Sequence, residues 1–296
     1  MKIFVTGGTG FIGKAVVNQL LKENHSLLLL SRNIKDTKKS NIEIVRGDLS
    51  NISNWQKKLE KFKPDAAIHL AWEGLPEHNA ALSRLNLEYS LNLTELLSKI
   101  SCKRLIITGS CWEYGPQAGK LSEDTPPKPF DAFTAAKLSL LWLGQEIAKE
   151  KNVEFIWTRP FYVYGPGQHS KSLIPYLISC AQAGKKPEIR NPDAQNDFIF
   201  VEDVADALSQ ILTSTLKNNI YNIGSGKLTS VSYIIKCIFD HFGIESDYDK
   251  ASAQHKDELK QFFADSSRIR KEIGWSPSTD IEEGLVKTIN YYKSFQ

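Results

Sequence analysis

The first thirteen residues constrain the chain most. A strand-like run, Lys2-Ile3-Phe4-Val5-Thr6, passes directly into Gly7-Gly8-Thr9-Gly10-Phe11-Ile12-Gly13. A helix-period stretch follows, with Ala15, Val16, Leu20 and Leu21 on one face. A glycine loop between a strand and a helix is the dinucleotide-binding arrangement. Gly7 permits the tight turn, and Gly10 lets backbone N–H groups approach a pyrophosphate. Gly13 permits close helix–strand packing. The alternative is a tight strand–helix turn in some other α/β domain.

The rest of the first half repeats the alternation. Strand signals fall at Ser26–Ser31, Ile42–Arg46, Ala66–Leu70, Leu105–Thr108 and Glu154–Thr158. Helix signals fall at Phe11–Glu23, Asn51–Lys61, Leu82–Lys99 and Phe133–Glu150. Alternation of this kind predicts an α/β fold with a doubly wound parallel sheet and a site at the C-terminal strand ends. Beyond Tyr164-Gly165-Pro166-Gly167 the pattern changes. Helices are expected at Ser172–Gly184, Asp203–Leu212, Ser230–Phe242, Ser266–Ile273 and Ile281–Tyr292. Strands are expected at Phe198–Val201 and, as the last strand, Ile220–Ile223. The expected division is a Rossmann-type domain over 1–165, to which 198–226 returns, and a smaller lobe from 166–197 and 227–296.

Bulk properties exclude other classes. With 37 basic and 34 acidic residues the net charge is +3, which supports neither nucleic-acid nor membrane-surface binding. Cys102, Cys111, Cys180 and Cys237 are far apart with no CxxC pair, so free thiols are expected and no metal site. No apolar run reaches the roughly 18 residues of a membrane span. The first strand begins almost at Met1, so no signal peptide is expected, and the chain reads as cytoplasmic.

Further landmarks follow in order. They are Gly47-Asp48-Leu49-Ser50, His69-Leu70-Ala71, Asn86 in its helix, Thr108-Gly109-Ser110, Tyr114-Gly115 and Ala135-Ala136-Lys137. Then come Arg159-Pro160-Phe161-Tyr162-Val163-Tyr164-Gly165-Pro166-Gly167, Asp197-Phe198-Ile199-Phe200-Val201, Tyr221-Asn222-Ile223-Gly224 and Ile273-Gly274-Trp275. Together they resemble the extended short-chain dehydrogenase/reductase family of nucleotide-sugar epimerases, dehydratases and ketoreductases. The resemblance spans nearly the whole chain. It implies NAD(P) in the N-terminal domain, a nucleotide-diphosphate sugar in the C-terminal lobe, and a Ser/Thr–Tyr–Lys catalytic set. It also implies a homodimer formed by the helices at Leu82–Lys99 and Phe133–Glu150.

In the family the tyrosine gives its proton to the developing alkoxide. The lysine four residues later lowers the tyrosine pKa and holds the nicotinamide ribose, and the Ser/Thr bonds the substrate oxygen. Ser110 and Lys137 match two of these positions; the alternatives are a strand-end serine serving local backbone and a solvated helix lysine. The tyrosine position is Phe133, which has no proton to give. Three explanations stay open. One is a deliberate Tyr→Phe change that traps a bound ligand. Another is a natural variant using Ser110, Tyr162 or an ordered water as donor. The third is a chain that keeps binding without turnover.

The family's dehydratases carry an Asp-Glu pair after the Ser/Thr. Cys111 and Trp112 stand there instead, and Glu113 is one place too far, which argues against dehydration. Reduction of a keto-sugar or C4 epimerisation remains. Short segments around Ser110 and Tyr162 resemble bacterial ketoreductases that make deoxy sugars as CDP or similar nucleotides for surface polysaccharides. Trp72, Cys111, Trp112, Tyr162, Lys171 and Arg190 are the expected substrate-side residues, with Lys256 a further basic candidate. The cofactor side comprises Gly7, Thr9, Gly10, Phe11, Ile12, Gly13, Asp48, Leu49, Leu70, Ala71, Lys137 and Pro160. The second strand ends in Ser31-Arg32-Asn33 without the acid that holds an NAD ribose. Ser31 and Arg32 suit a 2′-phosphate, so the expected cofactor is NADP(H), with NAD(H) the alternative.

Overall fold

The computed structural model describes residues 1–33, 41–75, 79–100, 102–245 and 261–294. The first half runs β1 (Lys2–Thr6), α1 (Phe11–Lys22), β2 (Ser26–Ser31), β3 (Ile42–Arg46), α2 (Gln56–Phe62), β4 (Ala66–His69), α3 (Ala80–Lys99), β5 (Arg104–Thr108), β6 (Gly119–Leu121), α4 (Ala132–Lys149) and β7 (Glu154–Pro160). The second half adds β8 (Tyr162–Tyr164), α5 (Leu173–Gln182), β9 (Gln195–Asn196), β10 (Phe198–Phe200), α6 (Val201–Thr213), β11 (Ile220–Ile223), β12 (Thr229–Ser230), α7 (Val231–His241), β13 (Phe262–Ala264), α8 (Ser267–Ile273) and α9 (Ile281–Lys293).

Seven parallel strands form one sheet in the order β3-β2-β1-β4-β5-β7-β11. The fold is α/β of the Rossmann type. From β1 the chain winds outward to β2 and β3. From β4 it winds the other way, and the crevice at that reversal is where such sheets hold ligands. Side chains along each strand alternate between two buried faces. Ile3 and Val5 join Val16, Leu20, Leu208 and Ile211 of α1 and α6. Phe4 joins Leu59, Leu93, Leu97, Leu138 and Leu141 of α2, α3 and α4. A separate core of Ile174, Leu177, Phe198, Ile234, Ile238 and Leu285 holds the C-terminal helices together.

Several boundaries differ from the sequence reading. The helix expected over Asn51–Lys61 is a 3-10 turn at Ile52–Asn54, then α2. Trp55 interrupts it, because its ring is buried against Phe4 and its indole N–H donates to the Asp48 carbonyl at 2.7 Å. That anchor holds Trp55 at φ −132°, outside helical geometry. Val201 opens α6 instead of closing the preceding strand. β11 is not the last strand, since β12 and β13 follow. β6–β13, β8–β10 and β9–β12 form two-stranded pairs. Their strands span two or three residues, too short for alternation to reveal. Among the described residues no helix is long and apolar enough to cross a membrane, and no cluster of His, Cys, Asp and Glu offers metal ligands.

Candidate active site

The glycine loop lies at the C-terminal end of β1 and faces the segment after β4. Gly7 has φ +71°, and a Cβ there would sit 2.7 Å from the Ala71 nitrogen. A Cβ on Gly13 would sit 2.0 Å from the Gly7 carbonyl oxygen, so α1 approaches β1 as closely as it does only with glycine at 13. Gly10 is the N-cap of α1, which has no side-chain cap and no acid in its first turn. Thr9 and Gly10 are exposed, and Phe11 and Ile12 half-buried. The first-turn amides of α1 are thus uncapped beside exposed backbone, an arrangement suited to a pyrophosphate. These residues fit a dinucleotide.

The other cofactor-side positions are distributed along the same strand ends. The Leu70 amide donates to the Thr6 carbonyl at 3.2 Å, and the Ala71 amide donates to Thr6 Oγ1 at 3.4 Å. Asp48 accepts from the Ser50 amide and hydroxyl, a local turn beside half-buried Leu49. Ser31 is buried and donates to the Asn33 carbonyl at 2.8 Å. Arg32 is exposed and pairs with Glu73 at 3.0 Å. Pro160 is buried at the end of β7.

Ser110, Phe133 and Lys137 converge where β5 ends. α4 packs across the 3-10 turn of Cys111–Tyr114 that follows Ser110. The Ser110 hydroxyl oxygen accepts from the Trp112 amide at 3.2 Å, capping that turn. Its hydrogen is not used in that contact and faces the Cys111 sulfur, a weak acceptor that a substrate oxygen can replace. Asp131 and Thr134 cap α4 reciprocally and set its start. One turn on, buried Lys137 reaches back and donates to the Thr108 carbonyl at 2.8 Å. Its ammonium lies 3.8 Å from the centre of the Trp72 ring and 5.8 Å from that of Phe133. Trp72 meets Phe133 edge-on at 5.5 Å. Burial pulls the Lys137 pKa down to about 7, partly countered by the Glu113 charge.

Two buried networks hold this edge. His69 is driven to about 3 by burial and by the Lys137 charge, so it is neutral at ordinary pH. Ser90 spends its hydrogen on the Asn86 carbonyl, so His69 Nε2–H donates to Ser90 and Nδ1 accepts from Thr6. On the other side Arg159 Nε donates to Glu113 at 2.8 Å, while the Ser110 amide and the Trp157 indole also donate to Glu113. Arg159 and Tyr114 continue the chain to Asn222 of β11. Glu113 is therefore committed to structure.

The substrate-side positions separate. Cys111 is buried beside Tyr114, Leu121, Phe161 and Ala264, and burial raises its thiol pKa. It packs under the site instead of lining it, because the three-residue period of the 3-10 turn points Cys111 and Trp112 in different directions. Trp112 and Tyr162 face a common cavity with Phe130 and Phe262. Burial pushes the Tyr162 phenol up to about 12, so it remains protonated. Lys171 and Arg190 are exposed, and Lys256 lies outside the described residues. Asp197 was not singled out by residue type. It is buried and accepts from the amides of Ser225, Gly226 and Ala264 at 2.7, 3.0 and 2.9 Å. It ties the turn after β11 to β13 and so places Phe262. An Asp immediately before an apolar strand was the available signal.

Comparison with known proteins gives a consistent picture. The chain is 29% identical over 282 residues to the GDP-6-deoxy-D-talose 4-dehydrogenase of Aggregatibacter actinomycetemcomitans, covering 93% of this chain and 92% of that one. It is 27% identical over 339 residues to the UDP-glucose 4-epimerase of Pisum sativum, covering 99% and 96%. The structure matches MoeE5 in complex with UDP-glucuronic acid and NAD at a TM-score of 0.85, with 25% identity and 100% of both chains covered. The family model for the NAD-dependent epimerase/dehydratase family matches residues 3–224. The glycine loop, the strand order and this match agree, and the chain belongs to the NAD-dependent epimerase/dehydratase family.

Proposed function

We propose that this nucleotide-sugar-modifying enzyme reduces the ketone of a nucleotide-linked 4-keto-6-deoxy sugar with NADP(H), NAD(H) being the alternative, in the making of a bacterial surface-polysaccharide sugar. The observation that carries the reading is the convergence of Ser110, Phe133 and Lys137 beside the glycine loop, with Trp112 in place of a dehydratase acid. When bound, the nicotinamide supplies the hydride. Ser110 turns its hydroxyl hydrogen from the Cys111 sulfur to the substrate oxygen. Lys137, anchored on Thr108, has two further N–H groups for the ribose hydroxyls. Phe133 contributes packing and no proton, so Ser110, Tyr162 or a water must complete the transfer. The lobe of 166–197 and 227–296 holds the nucleotide, with Lys171 and Arg190 toward its phosphates. The missing acid after β2 and the Arg32 guanidinium support NADP(H), while MoeE5 binds NAD.

The test is oxidation of NADPH and NADH with a panel of nucleotide-linked 4-keto-6-deoxy sugars, run on this chain and on Phe133→Tyr. Restoring the phenol is expected to raise turnover at least ~100-fold, the usual size of an acid–base contribution. Equal rates in both would assign the proton to Ser110 or Tyr162. A second reading, C4 epimerisation, draws on the 27% identity to an epimerase. It requires tightly retained NAD after purification and no net oxidation. Silence of both forms in both assays, with the dinucleotide still bound, would mean a binding protein.

A further inference from the structure

A cavity of about 280 Å³ opens beside the reaction centre, lined by Trp112, Gly115, Pro116, Phe130, Tyr162 and Phe262. Four of the six are aromatic, and among the described residues no Lys, Arg, Asp, Glu or His lines it. It therefore offers nothing to a diphosphate. Its volume falls just below the roughly 300–1,000 Å³ of clefts that enclose whole drug-sized ligands, so it takes one fragment of a substrate. The rings stand in tilted pairs. Trp112 and Phe130 have centres 6.3 Å apart at 47°, and Tyr162 and Phe262 are 6.3 Å apart at 43°.

Two covalent links join this pocket to the chemistry. Trp112 is two residues from Ser110, and its amide donates to the Ser110 oxygen. Phe130 is three residues before Phe133, and its amide donates to Thr134 Oγ1 of α4 at 3.1 Å. Phe130 is 58% exposed, a large apolar ring at the pocket mouth. Gly115 closes one side: its φ is +67°, and a Cβ would sit 2.0 Å from the Lys128 carbonyl oxygen. Phe262 arrives on β13, paired with β6 and anchored through Asp197.

We propose that Trp112, Phe130, Tyr162 and Phe262 select the sugar by its deoxygenated edge, seating a methyl where a common hexose carries a hydroxymethyl group. The assignment rests on the nucleotide-sugar reading above and names the residues that enforce the 6-deoxy preference. A hydroxyl placed among these rings gives up its water, and the polar side-chain groups among the lining residues, the Tyr162 phenol and the Trp112 indole, already bond to each other. Apolar pockets reject such an added hydroxyl by at most about 100-fold, so a preference of ~10- to 100-fold is expected.

The test is calorimetric binding to the dinucleotide-loaded chain. The probes are matched pairs of glucose and 6-deoxyglucose linked to UDP, dTDP, CDP and GDP. Within the nucleotide that binds, the 6-deoxy member should bind ~10- to 100-fold tighter. Phe262→Ser and the exposed-site variant Phe130→Ala should narrow that ratio to within about 3-fold, with dinucleotide affinity unchanged. Equal binding of a pair by the parent chain, or an unaltered ratio in both variants, overturns the pocket assignment and leaves the nucleotide-sugar reading standing. Failure of every pair to bind, with dinucleotide affinity intact, overturns both.

Discussion

Lys137 holds its ammonium between the Trp72 ring and the Thr108 carbonyl, in a place from which water is nearly excluded. Desolvation brings its pKa to about 7, so the free chain loses the charge as pH rises through neutrality. A bound ribose favours the charged donor, so binding takes up a proton above that pKa. Dinucleotide affinity should therefore fall by about five-fold between pH 6 and pH 9, the worth of about 1 kcal/mol in charge assistance. Fluorescence titration reads this directly, and Lys137→Met should be flat over the same range. Gly13 makes a second prediction at this scale. An alanine Cβ would lie 2.0 Å from backbone, and overpacking of this kind costs about 1–3 kcal/mol. Gly13→Ala should weaken dinucleotide binding by ~5- to 150-fold; unchanged affinity would show that the loop does not contact the pyrophosphate.

At the scale of elements, the turn Cys111–Tyr114 links β5 to β7 through one buried charge pair. Glu113 is 0% and Arg159 2% exposed. Removing one partner leaves the other charge buried and alone, at a cost of about 3–5 kcal/mol. Glu113→Ala should lower the urea midpoint accordingly, while Glu113→Leu with Arg159→Met should recover most of the loss. A single variant as stable as the parent would refute the pairing. This element also shows the reach of sequence reading. Ser110 and Lys137 are legible through the family resemblance, since short motifs at a strand end and on a helix match its Ser/Thr and Lys positions. The committed role of Glu113 was not legible, because Arg159 and Trp157 are 46 and 44 residues away. The break at Trp55 was hidden likewise, since its cause is the burial of one indole against another element.

For the whole molecule, α3 and α4 pack side by side on one face of the sheet. α4 leaves Trp142 58% and Leu143 51% exposed. Adjacent large apolar side chains on a helix surface mark an association face. We expect a homodimer through α3 and α4. Light scattering should give twice the chain mass, and Trp142→Glu with Leu143→Glu should give one chain mass. An unchanged mass in that variant would refute this pairing.

Local pattern alone determined the parallel sheet and the glycine loop, and the resemblance to a family pointed to the Ser110–Phe133–Lys137 set. Strand alternation, glycine spacing and one-turn offsets are all short-range consequences of backbone geometry. Only the tertiary structure decided that Cys111 packs under the site, that Asp197 carries Phe262 into place, and that four aromatic rings form one pocket. Those outcomes depend on side chains brought together from positions as far apart as Trp112 and Phe262. Burial, close packing and hydrogen-bond satisfaction between distant segments set them, and none leaves a periodic trace in the chain.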